Sequence, residues 1–547
     1  MQLPKINLEK IKEEIINSQV WRSMFRGGTW KDTSRDRAQH ILGNVWLHLH
    51  PARVRSRAVK PNYTWGLGGL SFLLFLVLTV TGIVLMFYYR PTIGLAYQDM
   101  KDLEFVVSFG KFMRNMHRWS AHAMVLVVIL HMVRVFLTGS YKTPREFNWG
   151  VGVVLLVLTL FLSFTGYLLP WDQLAIWAVT VGTNMASATP FLGAEGPFSS
   201  LLGVGLKNDA RFGLLGGTSV GANTLVRFYV LHCIAVPFIT GVLMIVHFWR
   251  IRKDGFSAAA LPNEGPNQKI EVWPNLVVRE YIGAILMLIF LVAWSILQNA
   301  PLEGIADPNV TPNPSKAPWY FLGLQELLVY FDPWIAGVLL PGVIVGGLIA
   351  IPYLEPDPNH GVGYYSVKDR PFASTIFLFG IAAWFVLIIV GVFFRGPNWA
   401  WYWPWESWLY HKPPDPPTFT LPLALGGALI TLYFAVGMVL PRLITKVINI
   451  KPAIWKTLVI SIGVSAIVGA LPMFSFVQGI WAGFGLFLYV VLGFFLPQKY
   501  LKGISIIRYT VCMLLLLLMI SVFLKMALRL GFNVKYIVSI PQVSLNI

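Results

Sequence analysis

Arg114-Asn-Met-His117-Arg-Trp-Ser-Ala-His122-Ala-Met-Val-Leu-Val-Val-Ile-Leu-His131 places His117 and His131 131 − 117 = 14 residues apart in a largely apolar run. In a helix these two share one face, about 21 Å apart along the axis. A second stretch repeats the arrangement: Arg227-Phe-Tyr-Val-Leu-His232 leads to His247, 247 − 232 = 15 residues on. That step is about 22 Å and again nearly one face. Histidines inside apolar spans are costly and mark function. His122 lies about 140° round the helix from His117, so it is expected to pack or hydrogen-bond.

Both stretches enter from the same side of a membrane, so His117 meets His232 at one depth and His131 meets His247 at the other. Each pair can supply both axial imidazoles to a haem iron, with no open position for oxygen. The competing reading is four histidines hydrogen-bonding between helices. Glycines favour haem: Gly68 and Gly82 repeat the 14-residue step, as do Gly152 and Gly166. A porphyrin edge between helices needs a missing side chain at each of two depths, although single glycines also serve close helix packing. Arg114, Arg134 and Arg227 lie near these levels and could pair with propionates or anchor at the interface.

Bulk properties agree with a bilayer setting. Of 547 residues, 56% are hydrophobic and 12% charged, far below the roughly one quarter of soluble chains. Runs of about 20 apolar residues cover 68–89, 120–138, 150–169, 228–249, 280–298, 333–353, 373–394, 420–440, 455–473, 476–496 and 507–528. The expected fold is an all-α integral membrane protein of about eleven spans: a four-helix haem bundle, three further core helices and about four C-terminal helices. The expected divisions are an interfacial segment 1–60, the bundle 61–260, a three-helix region 261–412 and an extension 413–547. The net charge of +18 comes from basic loops that alternate with the spans, such as Arg250-Ile-Arg-Lys253. This is the positive-inside pattern, with the N-terminus cytoplasmic, rather than a nucleic-acid surface. No cleavable signal peptide is expected. Cys233 and Cys512 are the only cysteines, too few for a disulfide framework or a cysteine-held cluster.

Tyr88-Tyr-Arg-Pro-Thr92, Arg114-Asn-Met-His117, Gly166-Tyr-Leu-Leu-Pro-Trp-Asp-Gln173, Arg227-Phe-Tyr-Val-Leu-His232 and His247-Phe-Trp-Arg-Ile-Arg-Lys-Asp-Gly255 together resemble the cytochrome b subunit of quinol:cytochrome c oxidoreductases and their b6f relatives. The likeness runs from about residue 35 to 410. The 15-residue histidine step and Pro170-Trp-Asp-Gln173 look like the b6f branch, in a fused bacterial form with extra C-terminal spans. The resemblance implies two b-type haems and a Q-cycle: quinol oxidised at the outer face, quinone reduced at the cytoplasmic face of a bacterial energy-conserving membrane, protons translocated. It also implies a Rieske iron–sulfur subunit, a c-type cytochrome subunit and a homodimeric complex. At the outer site it implies Pro170, Trp171, Trp319 and Tyr320. The family's Pro-Glu-Trp-Tyr motif here reads Ala317-Pro-Trp-Tyr320, without its glutamate. Proton transfer needs a titratable group near the quinol oxygen, so Glu326 is the expected stand-in and Asp172 the second candidate. At the cytoplasmic site Arg279-Glu280 is expected to bind quinone. The b6f branch tethers an extra c-type haem through a cysteine where this chain has Gly66, so both haems are expected to be non-covalent. The rivals are a di-haem membrane anchor of a dehydrogenase, with one quinone site, and a transporter without haem.

Overall fold

The computed structural model describes residues 8–18, 21, 32–44, 47–261, 265, 268–355, 357, 359–410, 412, 417–445 and 476–539. Among them nine helices are long and apolar enough to cross a membrane. In chain order, with the shorter helices that matter for the site, they are α1 (Leu67–Met86), α2 (Gly110–Leu137), α3 (Glu146–Tyr167), the short α4 (Gln173–Ser187) and α5 (Ala222–Asp254). Then come α6 (Val277–Leu297), the short α7 (Trp319–Tyr330), α8 (Ile335–Leu354), α9 (Pro371–Phe394), α10 (Leu423–Thr445), α11 (Phe476–Phe495) and α12 (Ile506–Phe532). The expected span 455–473 lies outside the described residues. The expected span 476–496 is α11, and with the turn that follows it Gly483–Lys499 is a shorter apolar helix.

α2 begins ten residues before the expected 120 because its polar first turns are satisfied by the chain that follows α6. Arg114 donates to the Ala300 and Pro301 carbonyls at 2.9 and 2.6 Å. Asn115 donates to the Ser295 carbonyl at 2.9 Å and accepts from the Ala300 N–H at 2.8 Å. Hydropathy alone ends a span at such residues; paired polar groups let the helix continue.

α1 packs along α2, and α3 along α5, while α6 closes against α1 and α2. Leu74, Met116, Met124, Val127 and Leu291 form the seam of that last contact. On the far side Leu327, Tyr330, Ala336, Leu340, Leu387 and Met526 join α7, α8 and α9 to α12, so the C-terminal extension packs on the second helical group. The N-terminal segment is also fixed. Arg53–Val54 pairs antiparallel with Ile270–Glu271, just before α6. Ile41, Val54, Ala58, Val59, Val272 and Leu276 fill the small core beneath this pairing, which brings residue 50 to the start of α6.

Candidate haem centres and quinone sites

Each of the four glycines faces one of the four histidines. A Cβ on Gly68 would lie 3.2 Å from His131 Cε1, one on Gly82 3.2 Å from His117 Cε1, and one on Gly152 3.6 Å from His247 Cε1. A Cβ on Gly166 would run into the His232 ring, 2.9 Å from Nε2. The unequal histidine steps are reconciled in the backbone. Residues Leu231–Ala235 form a π turn, in which the Val236 N–H returns to the Leu231 carbonyl. A π turn inserts one residue into a helix, so a 15-residue step on α5 matches a 14-residue step on α2. Pro237, next along, lacks the N–H that an uninterrupted ladder requires there.

His117 and His232 face each other with ring centroids 6.1 Å apart and planes 82° from parallel. Two metal–imidazole bonds of ~2 Å plus the half-widths of two rings span about that separation. Their Nδ1 atoms are tied back: His117 to Thr81 Oγ1 at 2.9 Å, His232 to Thr165 Oγ1 at 3.1 Å and to the Leu162 carbonyl at 3.1 Å. Thr81-Gly82 and Thr165-Gly166 are thus the same device on two helices: the glycine opens space and the threonine orients the ring. A second contact holding one ring nitrogen leaves the other for a metal. At the other depth His131 and His247 are close enough to interact electrostatically. Their Nδ1 atoms are buried and unpartnered among the described residues. No group of three or more His, Cys, Asp or Glu gathers among the described residues. Two imidazoles at each depth, each with a glycine opposite its ring, fit a centre that takes two ligands and supplies the rest of its coordination itself, as haem does.

The three expected arginines each make contacts within the protein. Arg114 is committed to the carbonyls named above. Arg134 donates to the Tyr63 carbonyl at 3.1 Å, and its guanidinium lies 4.6 Å from the centre of that residue's ring. Arg227 binds the Gly213 carbonyl. All three brace neighbouring segments.

Beyond Gly166, Pro170 and Trp171 turn the chain, with Trp171 at φ +50° and 4% exposed. Asp172 caps α4, accepting from Ala175 N–H at 2.9 Å, and also accepts from Glu303 N–H at 3.2 Å. This stitches the loop to the segment that leads to Trp319 and Tyr320. Burial pushes the Asp172 carboxyl up from its ordinary value, and the hydrogen bonds from Ala175 and Glu303 only partly offset this. Tyr320 is buried, its ring 5.6 Å from His122 and 5.3 Å from Trp319. Trp319 donates its indole N–H to His122 Nδ1 at 3.0 Å, the hydrogen-bonding role expected for His122.

Glu326, the expected stand-in for the missing glutamate, is held by an ion pair. It is fully enclosed, and Arg395 bonds it from Nη2 at 2.6 Å and from Nε at 3.1 Å. The Tyr330 hydroxyl and Trp399 Nε1 complete the shell. Both oxygens are bonded, which makes this carboxylate a clamp between α7 and the loop after α9.

At the opposite end of the bundle Glu280 accepts from His50 Nε2–H at 2.8 Å, while Arg279 donates to the Val59 carbonyl at 2.5 Å. A Cβ on Gly69 would lie 3.9 Å from Glu280 Oε1, beside the Gly68 that faces His131. The His50–Glu280 pair therefore sits next to the second imidazole pair. Burial disfavours the charged ring of His50, but the hydrogen bond and charge of Glu280 outweigh it and raise its pKa.

Residues 54–255 match the family model described as Cytochrome b/b6/petB. Proteins described as cytochrome b6 from Gracilaria tenuistipitata var. liui and Porphyra purpurea are each 44% identical over 206 residues, covering 37% of this chain and 89% of theirs. The chain belongs to the cytochrome b family. As a cytochrome b of the bc/b6f type it is a multi-pass membrane protein. A solved chain described as "Hyperthermophilic respiratory Complex III" aligns at a TM-score of 0.53 and 22% identity, over 70% of this chain and 91% of that one, a common fold. All four histidines and all four glycines of this cytochrome b fall within the matched residues 54–255. Trp319, Tyr320, Glu326, Arg279 and Glu280 lie beyond them. His50 escaped the sequence reading because its partner is 230 residues away, and only the pairing of residues 53–54 with 270–271 brings the two together. No pattern within either segment carries that contact.

Proposed function

We propose that this chain is the haem-carrying, quinone-reactive subunit of a multisubunit bc-type complex, oxidising quinol at the end marked by Asp172 and Tyr320 and reducing quinone at the end marked by His50 and Glu280. The observation that carries the reading is the one-to-one facing of Gly68, Gly82, Gly152 and Gly166 with His131, His117, His247 and His232. His117 with His232, and His131 with His247, would hold one non-covalent b-type haem each. Bound haem would supply reversible one-electron transfer there. The chain's own part is to orient the four imidazoles, using Thr81 and Thr165, and to keep water from them by burial.

At the quinol end, Asp172 is the group we assign to proton acceptance, because its raised carboxyl lies closer to neutral pH, where a general base works best. Glu326 is assigned to holding the Trp399 loop. Trp171, Trp319 and Tyr320 form the aromatic surroundings of the quinol ring. At the other end Glu280, joined by His50, delivers protons to quinone, and Arg279 fixes the approach of residue 59. The positive-inside pattern puts this second end on the cytoplasmic side of a bacterial membrane. With two cysteines in the whole chain, a Rieske centre and a c-type acceptor would reside on separate subunits, in a complex that pairs as a homodimer. Gly66 takes φ +63° in the turn before α1, a conformation that suits glycine and offers no thiol for a covalent haem.

The test is quinol-driven reduction of a c-type acceptor by the intact complex, with haem spectra recorded together. The reading expects acceptor reduction, and the b-type absorbance change that accompanies it, to stop when both quinone ends are blocked, and acceptor reduction to stop when the quinol end alone is blocked. Quinol turnover without any b-type absorbance change would overturn it.

A further inference from the structure

His122 carries an unused hydrogen-bond donor. Because Trp319 donates to Nδ1 at 3.0 Å, that nitrogen must present its lone pair, and a neutral ring then carries its proton on Nε2. Nε2 is buried and has no partner among the described residues. A buried donor without an acceptor bears the desolvation cost of its N–H with no return, so the position calls for an acceptor. None of the surrounding groups supplies one. Trp119 lies 5.3 Å away ring to ring and gives its own N–H to the Gln298 carbonyl; Tyr320 lies 5.6 Å away. Arg118, the charged neighbour acting on His122, sits over the Tyr167 ring and is itself a donor. Every one of these side chains is aromatic or cationic, which suits a flat ring bearing oxygen acceptors.

We propose that His122 Nε2–H binds a ring oxygen of the quinone or quinol headgroup, making His122 a substrate-binding residue of the quinol end. This rests on the reading of Trp319 and Tyr320 as part of that site. His122 follows His117 by five residues, about 7.5 Å along α2 and about 140° round it, so it faces Trp319 and Tyr320 rather than the imidazole pair. The tautomer makes His122 a donor, so it orients the headgroup and leaves proton acceptance to another group.

The experiment uses the intact complex with 2,3-dimethyl-1,4-naphthoquinone, 13C-labelled at its carbonyls, and its hydroquinone. The wild type should show a carbonyl stretch shifted to low frequency by a hydrogen bond. His122→Phe should abolish that shift and raise KM about 3- to 10-fold with kcat and haem spectra little changed. His122→Gln, which keeps one acceptor for Trp319 and one N–H donor, should restore both. Should His122→Phe lose haem, Trp319→Phe decides: it frees Nδ1, and the shifted band should weaken. An unshifted carbonyl in the wild type, or a shifted band and KM that survive in His122→Phe (or in Trp319→Phe where that variant decides), overturns the proposal, since a water or helix packing would then satisfy Nε2. Failure of the wild-type complex to oxidise the hydroquinone at all would instead sink the functional reading beneath it.

Discussion

Adding one methyl group at each of the four glycines gives graded outcomes that the structure ranks in advance. At Gly166 a Cβ would lie 2.9 Å from Nε2 and 3.0 Å from Nδ1 of His232, so the ring must move, and Thr165 and the Leu162 carbonyl hold it where it is. Overpacking of this kind costs about 1–3 kcal/mol, which is about 5- to 150-fold in haem retention. At Gly82 and Gly68 the contact is 3.2 Å, a few tenths of an ångström too close, and the loss should be at the lower end of that range. His131, whose Nδ1 has no anchor among the described residues, can give way more easily than His117. At Gly152 the contact is 3.6 Å, ordinary van der Waals distance, and the gain in helix propensity from Gly to Ala, at most ~1 kcal/mol, offsets it. Pyridine haemochrome assays on the four alanine variants, expressed as haem per polypeptide, should fall in the order Gly152, Gly68, Gly82, Gly166. Full haem in Gly166→Ala alongside loss in Gly152→Ala would refute the reasoning.

Asp172→Asn should slow quinol oxidation at least tenfold. Because burial raises this carboxyl, wild-type turnover should fall as pH drops through the raised value, and the variant should lack that acid limb in a pH–rate profile. For His50 the folded pKa is raised, so the ionic pair with Glu280 is complete below the ordinary histidine value of ~6.5 and fades as pH rises through the raised one. Quinone-driven reoxidation of haem in the wild type should slow over that rise, whereas His50→Gln should be slower at low pH and flatter across it. Arg395→Leu leaves the enclosed Glu326 without its counter-charge and should destabilise the protein by about 3–5 kcal/mol, seen as a lowered Tm in detergent; Arg395→Leu with Glu326→Gln should recover part of the loss.

Local periodicity made the core of the site legible. Histidines and glycines at a common step lie on single helices, so the spacing of residues within one element already fixes which depths they occupy. The bundle that holds them followed from the length of the apolar runs. What the sequence could not carry were contacts between distant segments. The early start of α2 depends on carbonyls at residues 295–301, and His50 meets Glu280 only through a two-residue strand pairing. Glu326 stands out as a carboxylate seven residues past Trp319, but its ion-pair partner Arg395 is 69 positions further on and carries no local signal. The π turn at Leu231–Ala235 was visible only as an odd 15-residue step beside a proline.

Redox titration of the b-type absorbance in the wild type, His131→Leu and His232→Leu bears most directly on the two imidazole pairs. Two Nernst waves are predicted for the wild type, with one lost in His131→Leu and the other lost in His232→Leu. A single haem in the wild-type chain, or two retained in either variant, would contradict the account.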